Sequence, residues 1–532
     1  MNSYTKENMN RDLQKNLLNR AVIGDLVARS AVRFGKRIAL VSGERRVSFK
    51  ELDEQSCRAA NSFLALGIKR GDRVAFMTHN CLEFVYLRLG LAKIGAAPVP
   101  LNFMLKGDEI RFILNHSEPS AFFVEDSLVE TVLKVKGELS KIKTIGVFDF
   151  GAEYQIPEGW IKAVDLVDSS ISAKEPEVLI ESDDMATLMY TTGTESFPKG
   201  VMTSHLNYFM SMFHFSSDCD FKNDDTLIID IPLFHVAGTT ILMASISFGS
   251  KAILEYAPDP MVTLQRTQSD KVTTWVYPPT LYHALPTVPG FENFDISSLK
   301  KCICFGAVMP QVVLENWMKI KPDIQWRNYW GQTESSPVGT TSIPNEFAQK
   351  INSIGVPDTG VTVKVFDDKD QELPLGEVGE LVIRGPAVMK GYWKDEEKTR
   401  ETLRNGWLHT GDIGYQDDDG YIFFVDRKKD MIKSGGENVS SQEVEAMLLR
   451  NPKVAQSAVI ATPDPYWIEL VTAFVLLKPE NQATEEEIID FCKENMAGYK
   501  VPKKVVFVES FPMSATGKLL KRLVKEDYIK SN

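Results

Sequence analysis

Apolar residues in the first 350 positions follow two spacings that take turns. Residues 49–66 repeat them at a helical period, 73–78 form a short apolar run, and 83–94 return to the helical spacing. Such switching marks βα units. Further runs rich in Val, Ile and Phe stand at 121–124, 144–148, 227–231, 251–256, 273–277 and 301–305. Because these runs are nearly continuous rather than alternating, they predict parallel strands covered on both faces. Between 351 and 425 the texture changes to short alternating stretches with Gly and Asp turns, as in 376–385 and 417–425. That pattern predicts a small β subdomain, a distorted barrel or a set of hairpins. After Asp426 the lysine density rises through Arg427, Lys428, Lys429 and Lys433, and a new compact α/β pattern runs from Gln442 to the end. A boundary is therefore expected at Asp426, dividing the chain into 1–425 and 426–532. The expected class is α/β: a large N-terminal domain of parallel-type sheets with helices plus a small β subdomain, then a smaller C-terminal α+β domain.

One stretch challenges this reading, because nothing between Asp230 and Lys251 is charged. A membrane span needs about 18 or more apolar residues, and here Pro232, His235, Gly238, Gly249 and several Ser and Thr interrupt the run. A buried helix flanked by loops is expected instead. The chain of 532 residues carries 60 basic and 72 acidic side chains, a net charge of -12. With a pI near 5.3, nucleic-acid binding through a basic domain is excluded and small-molecule partners are favoured. Six cysteines are scattered without a CxxC pair or a His at zinc-ligand spacing, so they are expected to be reduced core thiols. The first twenty residues carry Lys6, Glu7, Arg11, Asp12, Lys15 and Arg20, and no apolar signal core follows. The expectation is a cytoplasmic protein with no transmembrane segment.

The chemistry begins where the apolar run 185–189 empties into Tyr190-Thr191-Thr192-Gly193-Thr194-Glu195-Ser196-Phe197-Pro198-Lys199-Gly200. Hydroxyls and backbone N–H groups in such a turn supply convergent donors to phosphates, and a lysine adds a point charge. The spacing is not that of a Walker A loop, since Pro198 and Gly200 stand where that motif needs Gly and Ser or Thr. Four later segments follow in order: Tyr329-Trp330-Gly331-Gln332-Thr333-Glu334-Ser335, Trp407-Leu408-His409-Thr410-Gly411-Asp412, the Asp426-Arg427 to Glu437 stretch containing Lys433, Gly435 and Gly436, and Ser514-Ala515-Thr516-Gly517-Lys518. With the phosphate turn, this ordered set resembles the adenylate-forming superfamily of acyl-CoA synthetases, luciferases and peptide-synthetase adenylation domains, over residues 20 to 525 or so.

The resemblance implies an AMP-forming acid:CoA ligase using ATP, Mg²⁺ and coenzyme A. A carboxylate is a poor acyl donor, so it is first joined to AMP with release of pyrophosphate, and the coenzyme A thiol then displaces AMP. By resemblance, Lys518 is the cation where carboxylate and α-phosphate meet. Thr191, Thr192, Gly193, Thr194 and Lys199 grip the β- and γ-phosphates, Glu334 holds Mg²⁺, and Thr333 bonds the α-phosphate. Asp412 accepts the ribose hydroxyls, Arg427 reaches the same sugar, and Tyr329 and Trp330 flank the adenine, with Ala307, Gly331 and Gln332 beside them. Asp426 is the expected hinge of a mobile C-terminal domain. Its rotation brings the loop of Lys433, Gly435 and Gly436 to a pantetheine tunnel, and Lys433, Lys429 or Lys500 are candidates for the coenzyme A phosphates.

Acetyl-CoA synthetases close the acyl pocket with a tryptophan before the Gln of this motif, where this chain has Gly331, so a deeper pocket is expected. By resemblance, the other walls are Phe234, His235, Gly238, Gly306, Ala307, Val308, Pro337 and Val338, with His235 a candidate gate. No Asp lies in these segments to hold a substrate amine, and burying an unpartnered ammonium is costly. A medium-chain, alicyclic or aromatic acid fits. Two departures stand out, Glu195 and Ser196 in the phosphate turn and Trp330 where Tyr is usual. A like charge at 195 facing a triphosphate would weaken its binding, so Glu195 is expected to point outward or to Lys199. Rival readings are an adenylation enzyme that loads a carrier-protein thiol, and a nucleotide-binding pseudoenzyme.

Overall fold

Two parallel sheets packed through buried helices set the frame. A computed structural model describes residues 3–531 except 153, 192–197, 435–436 and 465–466. In the nine-stranded sheet, Thr226–Ile229, Lys251–Leu254, Thr274–Tyr277, Lys301–Phe305 and Gln325–Trp330 run parallel, with antiparallel strands only toward the edges. A second sheet of five strands is parallel throughout, from Ala97–Leu101 to Ile161–Lys162. Central strands such as Thr226–Ile229 and Ala121–Glu125 are buried at every position, as expected for runs without alternation. The helix Phe49–Ala65 starts at a capping box, in which Ser48 Oγ accepts from Glu51 N and Glu51 Oε2 accepts from Ser48 N.

The uncharged stretch forms the helix Val236–Phe248, buried on all sides except at its last residue. It ends at Gly249, whose φ of +81° is a left-handed cap. No helix among the described residues is long and apolar enough to cross a membrane. All six cysteines are buried and free.

The 351–425 region contains a five-stranded antiparallel sheet in which the long strand Trp407–Gln416 pairs with Gly379–Arg384, Leu403–Arg404 and Ile422–Arg427. A further five-stranded sheet lies beyond it, built on the hairpin Val454–Asp464 and Ile468–Leu477 with helices Ser441–Leu448 and Glu485–Asn495. The chain is thus a large N-terminal domain with a small β sheet, followed by a smaller C-terminal domain.

Candidate active site

The site follows from the register of the parallel strands. Tyr277 pairs with Cys304 and Phe305 with Tyr329, so these strands end level and their exit loops share one edge of the sheet. Loops at the carboxyl ends of parallel strands are where open α/β sheets bind ligands. Here those loops carry Asp230 to His235, Pro278 to Thr280, Gly306 to Val308, and Gly331 to Glu334. Gly306 has a φ of +80°, a backbone that suits glycine at the turn leaving Lys301–Phe305.

The strands that flank the phosphate turn pair antiparallel, with Thr191 of Met185–Thr191 directly opposite Lys199 of Lys199–Ser204. Thr192, Gly193, Thr194, Glu195 and Ser196 lie outside the described residues, as do Gly435 and Gly436. Lys199 Nζ is 5.8 Å from the centre of the Tyr392 ring, and the Tyr392 hydroxyl donates to Glu334 Oε1 at 2.9 Å. Burial raises the Glu334 carboxyl above its usual range, while the Tyr392 hydrogen bond, Arg427 and Lys199 pull the other way. Thr333 and Glu334 form a single 3-10 turn, Thr333–Ser335, that directly follows Gln332.

Asp412 reaches the same cleft from the small β sheet and is 6% exposed. Its Oδ2 accepts from Trp330 Nε1 at 2.9 Å, and its Oδ1 faces Arg427 Nε at 3.5 Å. Burial raises its pKa, opposed by Arg427 and by the indole N–H. Around it the backbone is pinned: Gly411 N donates to Glu380 Oε1 at 3.0 Å and Thr410 Oγ1 to Leu381 O at 2.6 Å.

Lys518 enters from the C-terminal domain on a tight turn, in which Ser514 N donates to Lys518 O at 2.7 Å and Lys518 N to Ser514 Oγ at 3.0 Å. Gly517 at the tip has a φ of +75°, and its carbonyl accepts from Thr280 Oγ1 at 3.4 Å. The Lys518 side chain keeps accessible surface in the cleft, yet the protein around it strips water from the ammonium. That desolvation, with the like charges of Arg427 and Lys429, lowers its pKa to about 8.

His235 caps the helix Val236–Phe248, its Nδ1 accepting from Ala237 N at 3.2 Å. Desolvation and the nearby Lys518 charge lower its pKa to about 4. The ring is therefore neutral near pH 7, with its hydrogen on Nε2. Phe234 packs edge-on against Phe103 at 5.4 Å, and Phe103 stacks on His79 at 3.7 Å. Val308 and Trp330 pack against one small apolar cluster, while Ala307 is exposed beside them.

Several expectations need correction. Tyr329 is 5% exposed and its ring packs against Phe215 at 4.8 Å, so its side chain is core and Trp330 alone faces the cleft. Strand alternation sends the two neighbours to opposite faces. A Cβ on Gly238 would lie 2.6 Å from Pro232 O, so this glycine lets the helix approach the backbone and is not a lumen wall. A Cβ on Gly331 would lie 1.4 Å from Pro337 O. The space that its missing side chain leaves is filled by the Pro337–Val338 backbone, and glycine there gives close packing rather than depth. Two contacts of the coenzyme A candidates, Lys500 with Glu443 at 2.5 Å and Lys433 N donating to Glu469 Oε2 at 2.6 Å, leave both as candidates and call for no correction. Lys429 does join the cluster about Lys518. Tyr392, Thr280, Glu380 and Phe103 went unnoticed in the sequence, because each acts through a contact distant along the chain.

A strand-end cleft that gathers a threonine-lysine hairpin, two carboxylates and an inserted lysine defines a nucleotide-dependent enzyme that activates an acid. The comparisons agree: the chain belongs to the AMP-binding enzyme family, which matches residues 27–393, and the AMP-binding enzyme C-terminal domain matches 443–518. It is 33% identical over 491 residues to a feruloyl-CoA synthase of Amycolatopsis sp, covering 92% of this chain and 96% of that protein. It is 33% identical over 489 residues to a long-chain-fatty-acid–CoA ligase of Mycobacterium tuberculosis, covering 92% and 94%. The solved structure of the anthranilate CoA ligase AuaEII in complex with anthranoyl-AMP superposes with a TM-score of 0.89 at 26% identity, over 96% of this chain and 98% of that one. The protein is an AMP-forming acid–thiol ligase, an acyl-CoA synthetase.

Proposed function

We propose that the enzyme joins a hydrophobic carboxylic acid, medium-chain, alicyclic or aromatic, to coenzyme A through an acyl-AMP intermediate, at the cleft where Lys518 meets Asp412 and His235. The observation that carries this reading is the docking of the Lys518 turn, whose tip carbonyl, Gly517 O, accepts from Thr280 Oγ1 at 3.4 Å, with the Lys518 charge felt at His235 and Asp412. Two anions, the acid and the α-phosphate, repel each other, and a positioned cation at their meeting point lowers the barrier. Thr333 and Thr191 to Lys199 would hold the triphosphate, Asp412 and Arg427 the ribose, and Trp330 with Ala307 the adenine. The carboxylate oxygen attacks the α-phosphorus, pyrophosphate leaves, and the coenzyme A thiol then displaces AMP from the acyl carbon.

Mg²⁺ fits the donor set. It prefers oxygen ligands and takes few protein carboxylates when phosphates supply the rest. Glu334 is such a carboxylate, held by Tyr392 in a buried setting that disfavours its negative charge. When bound, Mg²⁺ would offset charge on the β- and γ-phosphates.

The preference for an apolar acid rests on Phe234 and Val308, with Phe103 extending the aromatic wall, while Pro337 and Val338 are buried behind the Gly331 turn. Glu334 and Asp412 belong to the nucleotide end, Asp230 at the head of the Phe234 loop is buried, and Glu125 behind Phe103 is occupied by His79, whose N donates to its Oε2 at 2.8 Å. The related feruloyl-CoA and long-chain fatty-acyl enzymes are named for an aromatic and an aliphatic acid. Domain alternation about Asp426 supplies the second half-reaction. Its Oδ2 accepts from Ser441 N at 2.6 Å and from Ser441 Oγ at 2.8 Å, so this buried carboxylate joins the last strand of the β sheet to the first helix of the C-terminal domain.

The test is pyrophosphate release with ATP and Mg²⁺ across straight-chain, alicyclic and aromatic acids, with and without coenzyme A. Release that depends on an apolar acid, with soluble thioester only when coenzyme A is present, is expected. Release only with amino acids would contradict the substrate class. Release without thioester would favour a carrier-protein thiol.

A further inference from the structure

Trp330 and Asp412 come from different layers. Trp330 ends the strand Gln325–Trp330 of the nine-stranded sheet, whereas Asp412 lies in Trp407–Gln416 of the small antiparallel sheet. The indole N–H bridges them at 2.9 Å. Nothing in the strand pairing requires this contact, since the two strands belong to separate sheets.

Both partners are fixed from behind. The indole is wedged over Gly339, where an added Cβ would lie 2.7 Å from Trp330 Cε3 and 2.9 Å from Cζ3. It also packs with Val308 and Phe424 against the apolar cluster of the small sheet. Asp412 N donates to Thr410 Oγ1 at 3.1 Å, and the neighbouring Gly411 N donates to Glu380 Oε1. Between two fixed backbones, the remaining freedom is rotation of the carboxylate about its last torsion, which is broad for Asp. Arg427 Nε, 3.5 Å from Oδ1 on a half-exposed side chain, constrains it only loosely.

We propose that Trp330 is a positioning residue for ribose recognition: its indole N–H fixes the plane of the Asp412 carboxylate so that both oxygens present free lone pairs to the nucleotide's sugar hydroxyls. The inference rests on the reading of Asp412 as the ribose acceptor. A carboxylate offers about four acceptor sites. One is taken by the indole, and because that donor is neutral it orients the group without cancelling the charge that strengthens its bonds to hydroxyls. A phenyl ring at 330 would keep an aromatic face for the adenine while leaving the carboxylate free to turn.

The experiment measures acid-dependent pyrophosphate release with ATP, 2′-deoxyATP and 3′-deoxyATP, for the wild type, Trp330→Phe and Asp412→Ala, each checked for unchanged Tm. The wild type is expected to prefer ATP over either deoxynucleotide by about tenfold or more in kcat/KM, the scale of a lost hydrogen bond to a charged group. Trp330→Phe is expected to raise KM for ATP about tenfold and to leave KM for the deoxynucleotides and kcat within about threefold, so that discrimination collapses. Undiminished discrimination in Trp330→Phe, or an equal loss with all three nucleotides, overturns the positioning role while leaving the ribose reading intact. If the wild type does not discriminate, or Asp412→Ala discriminates as well as the wild type, the ribose reading fails and takes the proposal with it.

Discussion

Lys518 is an ammonium held among other cations, and its proton is correspondingly loose. Desolvation and the charges of Arg427 and Lys429 bring its pKa down to about 8, with Asp412 and Asp430 pulling the other way. The ammonium is the form that can bridge a carboxylate and a phosphate, and it is populated below that pKa and lost above it. In the free enzyme kcat/KM for ATP is therefore expected to fall with rising pH through about 8, because kcat/KM reports free-enzyme groups. A profile flat to pH 9.5 or so would contradict this. His235, lowered to about 4, stays neutral throughout that range and contributes no limb of its own. Motif order alone is enough to single out Lys518, Glu334 and Asp412 as candidates. Their electrostatic setting is not legible there, because it depends on Arg427 and Lys429 being folded back against a loop some ninety residues later.

At the level of elements, the parallel strands were legible because a strand buried on both faces leaves a continuous apolar run, and Lys301–Phe305 and Thr144–Phe148 stand where the pattern put them. The buried helix Val236–Phe248 was legible from the polar and glycine residues that break its stretch. What failed was the assignment of faces at single positions. The expectation that Tyr329 and Trp330 both flank the adenine ignores that neighbours in a strand point opposite ways. Gly331 is expected to deepen the acyl pocket and Gly238, by resemblance, to line it. Both instead admit a backbone carbonyl, of Pro232 and Pro337, which only the folded turns reveal. Gly238→Ala is accordingly expected to act through packing. Its methyl would press on Pro232 O, costing about 1–3 kcal/mol, and Tm should fall while the range of accepted acids stays the same. A variant of unchanged Tm with a narrowed acid range would return Gly238 to the pocket wall.

For the whole molecule, the central fact is that a residue of the C-terminal domain occupies a cleft built by the N-terminal one. Thr280 Oγ1 donates to the Gly517 carbonyl at the tip of the Lys518 turn, and the Asp426 carboxylate ties Ser441 to the strand before it. One cleft must serve two reactions with different needs. Acyl-adenylate formation calls for a cation between two anions, whereas thioester formation calls for room to admit a thiol to the same carbon. The account assigns Lys518 to the first reaction alone, with the domain turning about Asp426 for the second. The measurement that tests this most directly separates the half-reactions in Lys518→Ala: pyrophosphate release from acid and ATP, and thioester formation from a presynthesised acyl-AMP and coenzyme A. The account predicts a loss of about 10²-fold or more in the first, the scale of removing one preorganised charge stabiliser, with the second kept within about threefold of wild type. Equal loss in both, or adenylation that survives, would contradict it.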